Sequence, residues 1–146
     1  SDGRWTRWTL TDVIRLSVMK LFSEAGMDVS NTTIVAQMAI LPTLAELAHI
    51  DGAVSFEGDE IPAESQCRIR ASTVRTTDPS HSPGRFLASY GKGEYDVCRT
   101  DDLASLEEIL DADAYPILLI VDCRNLARLI VERAGGPLIR YEITVV

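Results

Sequence analysis

The chain has 146 residues, 46% of them hydrophobic and 25% charged, a profile that excludes a disordered polypeptide and fits one soluble globular domain or two small ones. At this length a core forms without disulfides or a structural metal. The formal charge of -8 excludes a protein that binds nucleic acid with its whole surface, although a local basic patch is compatible with it.

The charge is unevenly placed. Residues 1–27 hold four basic residues against three acidic ones, whereas residues 28–64 hold seven acids and no Lys or Arg. Residues 65–100 are net basic and residues 101–146 net acidic. The three cysteines, Cys67, Cys98 and Cys123, have no CxxC spacing, which suits a reducing cytoplasm and reads as small apolar residues. The longest apolar run, Ile34 to Leu41, is too short for a bilayer that needs about 20 residues.

Residues 4–8, Arg-Trp-Thr-Arg-Trp, are rich in strand-favouring types. Thr9 then predicts a helix N-cap, with Asp12 completing a capping box. Leu10, Val13, Ile14, Val18, Leu21 and Phe22 form one apolar stripe over about four turns, and Gly26 ends the helix. A second helix is predicted from Ser30 or Asn31 through Leu47, apolar on more than one face and kinked or divided at Pro42. Ile34, Val35, Met38 and Leu41 are its predicted homodimer surface, because a helix apolar all round must be buried on more than one side.

Residues 51–65 read as an acidic, solvated connector around a short strand at Val54 to Phe56. Gln66 to Thr76 alternates and predicts a strand, with Arg68, Arg70 and Arg75 on one edge as a candidate site for an anionic ligand. Arg85 to Tyr90 and Glu94 to Arg99 flank Gly91-Lys92-Gly93 as a hairpin; the tripeptide lacks the spacing of a phosphate-binding loop. Thr100 is expected to cap a helix with Leu103, Leu106 and Leu110 inward. Ile117 to Val121 is continuously apolar, as in a central strand covered on both faces. Asp122 caps a further helix ended by Gly135, and Leu138 to Val145 is a final strand.

The expected fold class is therefore α+β: an N-terminal wing strand and two helices over residues 1–50, then a mixed β-β-β-α-β-α-β module over 51–146. No pattern calls for enzyme chemistry, a cofactor or a metal. His49 and His81 lack zinc-ligand spacing, the acids of 51–64 lack that of a calcium loop, and no local signature pairs Cys98 or Cys123 with either histidine.

The stretch Gly3-Arg4-Trp5-Thr6-Arg7-Trp8-Thr9-Leu10, continued through Asp12-Val13-Ile14-Arg15-Leu16 to Gly26, resembles the MerR family of bacterial and phage transcription regulators. In that family a wing strand leads into a capped helix of the form Asp-Val-x-Arg-Leu, then a glycine and a further helix. The resemblance implies DNA contact through Arg4, Trp5, Arg7 and Arg15, a two-fold dimer, and a helix-turn-helix preceding the wing. This chain starts at the wing and, after residue 50, lacks the long dimerisation helix of many members. A wing with guanidinium groups on phosphates and indoles packed behind is physically sound, and the acidic remainder is screened beyond about 8 Å. Two rival readings stand beside it. One is a non-enzymatic protein-interaction module. The other is a small-molecule sensor with its pocket between the sheet and the helices at 101–113 and 123–134.

Overall fold

A computed structural model describes residues 9–27, 29–74, 84–91, 95–113 and 117–146. The wing segment 4–8 lies outside the described residues, as do the predicted turn residues Lys92 and Gly93, Arg75 and His81. The fold class is α+β.

Helix α1, Leu10–Glu24, begins where the capping box predicts. The Thr9 hydroxyl accepts the Asp12 amide and the Asp12 carboxylate accepts the Thr9 amide, each at 3.2 Å, satisfying two amides that the helix start leaves without partners. Ile14 and Val18 are its fully buried positions. Gly26, at a φ of +83°, turns the chain into α2, Val29–Met38.

The predicted second helix is divided at Ala39, and α3 runs Ile40–Leu47. Pro42 is the third residue of α3, inside the first turn, where no intrahelical acceptor awaits an N–H. Division places the imino group where it costs least. Val35, Ala36, Ala39, Ile40, Leu47 and Ala48 are buried, with α2 packed on α1 and α3 on α6, Cys123–Ala134.

The acidic stretch after residue 50 carries the expected short strand and keeps Asp51, Glu57, Asp59, Glu60 and Glu64 exposed. A single 3-10 turn at Asp51–Ala53 leads into β1, Val54–Gly58, which pairs in parallel with β5, Ile139–Ile143. The strand predicted over 66–76 is instead a helix, α4, Ala63–Ala71. Alternating arginines imitated a two-residue period. The decisive local features are Pro62 just before the helix, which fits a helix entry, and Glu64 with Arg68 one turn apart, ion-paired at 2.8 Å.

Strands β2, Phe86–Gly91, and β3, Tyr95–Thr100, form the predicted antiparallel hairpin, and β4, Ile117–Asp122, pairs with the other side of β2. The order is β3-β2-β4. The continuously apolar β4 is therefore an edge strand among the described residues, against the prediction of a central one, and Ile120 is 44% exposed. The element order after residue 50 is β-α-β-β-α-β-α-β, with α5 at Ala104–Asp113. Asp102 accepts the Ala104 amide at 2.9 Å beside the Thr100 hydroxyl, and Leu106 is the buried leucine of α5, with Leu103 exposed.

One hydrophobic cluster contains Ile14 and Val18 of α1, Val35 and Leu47, Leu87 of β2, and Cys123, Leu126, Ala127 and Ile130 of α6. Residues on both sides of position 50 share that core. No helix of the described residues is long and apolar enough to cross a membrane.

Candidate functional site

The predicted DNA-contacting residues divide in two. Arg4, Trp5 and Arg7 lie outside the described residues. Arg15 stands on the first turns of α1, where its guanidinium meets the Asp12 carboxylate at 2.6 Å. The Thr9 hydroxyl and amide, followed by the charge of Arg15, hold the Asp12 carboxyl below its ordinary range. Asp12 thus serves as cap and counter-ion together, and Arg15 is already committed to it.

The predicted dimer quartet is also divided. Ile34 is 62% exposed and Leu41 44% exposed, but Val35 is buried in the chain's own core and Met38 is partly buried against it. The four cannot share one outward face, because Val35 of α2 enters the same core as Ile14 and Val18 of α1, while Leu41 stands on the separate helix α3.

Of the candidate anion edge, Arg68 and Arg70 do not share a side, because residues two apart on a helix point in different directions, and Arg75 lies outside the described residues. Arg68 pairs with Glu64, whereas Arg70 is drawn inward, 3.1 Å from Asp51 and with its guanidinium 5.6 Å above the Phe56 ring. Phe56 stacks on Tyr141 at a centroid distance of 5.1 Å, so α4 is fastened to the β1–β5 pair by an aromatic and cationic cluster.

The start of α6 gathers the densest polar contacts. Asp122 Oδ1 accepts the amides of Arg124 and Asn125 at 3.1 and 3.2 Å, and its two oxygens also receive Arg85 Nε and Nη2 at 3.0 and 2.9 Å. Burial pushes this carboxyl up, but the Arg85 hydrogen bond, the two amides and the Arg85 charge outweigh it and leave Asp122 below its ordinary range. Next to it Arg124 reaches across to Glu46 of α3 at 3.0 Å. These pairs tie β2, β4, α3 and α6 together, a structural role that the helix-cap signal announced only for Asp122.

Cys123 is fully buried, and that burial pushes its thiol up to about 11. A thiol raised in this way is a poor nucleophile at neutral pH. Cys67, read from the sequence as an apolar position, is exposed on α4. Titration of the native protein with a disulfide reagent at pH 7.5 is expected to modify Cys67 rapidly and to leave Cys123 unmodified until denaturant is added. Equal rates at the two would contradict this packing.

Two apolar hollows lie between α1 and α6. One, of about 400 Å³, is bounded by Leu21 and Phe22 of α1, Ile120 and Val121 of β4, and Leu126 and Leu129 of α6. The other, of about 330 Å³, continues along the same helices and shares Leu21 and Leu129. The sensor reading expects a pocket between the sheet and the helices at 101–113 and 123–134; these hollows lie at α6 but against α1, and α5 lines neither. Periodicity could place Leu21 and Leu129 on apolar helix faces, yet it could not show that the two faces leave space between them.

Compared with protein-family models, curated proteins and solved structures, the chain matches none.

Proposed function

We propose that the chain is the wing-and-body portion of a MerR-like, DNA-binding transcription regulator that acts as a homodimer. The observation that supports the reading best is the geometry of α1: a Thr9–Asp12 capping box starts the helix directly after the Arg and Trp segment, and Gly26 turns it into α2. A capped start fixes where the chain enters α1, as a wing placed just before it would need in order to lay arginines along a phosphate backbone. Arg4 and Arg7 are assigned the phosphate contacts and Trp5 the anchoring role. Arg15, neutralised by Asp12, contributes to DNA only by exchanging that partner. The acidic body, rich in internally paired charge, faces away from the duplex.

The test is the salt dependence of binding to duplex DNA, measured by fluorescence anisotropy on the longest natural form of the protein. Replacing Arg4 and Arg7 by alanine is expected to weaken binding and to flatten the log–log salt slope by about 0.9 for each phosphate that is no longer neutralised. An unchanged slope would overturn the reading. The rival reading as a protein-interaction module is favoured by the exposure of Ile34 and Leu41, and that as a sensor by the hollow between α1 and α6.

A further inference from the structure

We infer that the edge of β4 left unpaired among the described residues is a self-pairing edge, at which a second copy of this chain adds its own β4 to make one continuous six-stranded sheet. The inference concerns the dimer alone and stands or falls independently of DNA binding.

It begins from a mismatch. Ile117-Leu118-Leu119-Ile120-Val121 has the composition of a strand buried on both faces and paired on both sides, yet among the described residues it is paired on one side only. Natural sheets blunt exposed edges with charge, proline or bulges. The other edges here obey: β1 carries Glu57, β5 carries Arg140 and Glu142, and β3 carries the exposed Arg99. β4 has five consecutive uncharged residues, and the one charge at its end, Asp122, is neutralised within the chain by Arg85 at 2.9 Å. Two bodies that each carry a formal charge of -8 meet at least electrostatic cost where neither shows uncompensated charge. The β4 edge meets that requirement along its whole apolar length.

Symmetry sharpens the inference. A two-fold axis perpendicular to a sheet sets an antiparallel strand against itself about a central residue, because opposite residues share a face. The aliphatic run within β4, Ile117 to Val121, is five residues long, so its centre is Leu119. Leu119 then faces Leu119 of the second copy, Leu118 faces Ile120, and Ile117 faces Val121. Each copy's Ile120, now 44% exposed, gains a leucine about 5 Å away.

The register makes the test specific. In a background carrying Cys67→Ser and Cys98→Ser, Leu119→Cys is expected to form a disulfide-linked dimer on mild oxidation, since directly opposed residues lie about 5 Å apart, within disulfide range. Val121→Cys is expected not to, because its copy lies four residues along the strand, about 13 Å away. Sedimentation of the wild type at tens of micromolar is expected to give about twice the chain mass, and Ile120→Lys about the chain mass with an unchanged circular dichroism spectrum. Ile34→Lys should remain dimeric. A monomeric wild type would overturn the inference and leave the edge to a strand of another protein. So would a dimer lost in Ile34→Lys and kept in Ile120→Lys, or cross-linking at 121 in preference to 119; unfolding of Ile120→Lys leaves the cysteine pair to decide.

Discussion

Gly58→Ala is expected to destabilise the protein by about 2–5 kcal/mol, combining the strain of a left-handed backbone on a residue with a side chain and the displacement of packed neighbours. Gly58 ends β1 at a φ of +95°, and a Cβ there would sit 2.3 Å from the carbonyl oxygen of Ile143 on β5. That oxygen cannot retreat freely, for it accepts the Asp59 amide at 3.0 Å, and the Asp59 carboxylate in turn accepts the Val145 amide at 2.8 Å. Relief of the clash breaks one of these bonds or parts the strands. Gly135 supplies the control: its φ is +70°, but nothing lies within 4 Å of the added Cβ, so Gly135→Ala carries only the backbone cost, about 1–2 kcal/mol. Urea denaturation of the two variants measures the difference. Equal losses would mean that Gly58 and Ile143 are not paired as described.

The second large effect is expected at Leu87. It is fully buried in the central strand of its sheet, in register with Val121 on one side and Arg99 on the other, and it belongs to the cluster that contains Cys123 and Leu126. Leu87→Ala leaves a cavity that packed neighbours on three elements cannot collapse, at a cost of about 2–5 kcal/mol. In a chain of this size the midpoint of thermal unfolding is expected to fall by about 10 °C. Ile34→Ala, at a position 62% exposed, should stay within about 0.5 kcal/mol of wild type. A loss below about 1 kcal/mol for Leu87→Ala would show that the sheet does not rest on the helical core.

Together these variants separate what holds the fold from what is offered outward. Leu87 and Gly58 act through packing and backbone geometry. Ile120 is an exposed apolar side chain whose replacement is read in association, and the likewise exposed Ile34 is its control.

The sequence by itself determined the elements whose signals are local. Thr9 with Asp12, and Asp122 with the amides that follow it, mark helix starts because a side-chain oxygen three residues or fewer from an unpartnered amide is a short-range fit. Gly26 and Gly135 mark the ends because a positive φ is cheap only there. Pro42 fixed the existence of a division, and the pair of strands around 91–95 a hairpin. Local pattern failed at Ala63–Ala71, where alternating arginines hid a helix whose Arg70 finds its partners in Asp51 and Phe56.

Tertiary structure alone decided the rest. The pairing of β1 with β5 joins residues some 85 positions apart, and nothing in either strand's composition distinguishes that neighbour from another. The burial of Val35 beside the exposure of Ile34 depends on which flank of α2 meets α1, a choice that an all-round apolar helix leaves open. The position of β4 was the same kind of question. Its composition determined that both of its sides should be covered, because five adjacent apolar residues gain from leaving water. Only the order β3-β2-β4 showed that, among the described residues, one of them is covered.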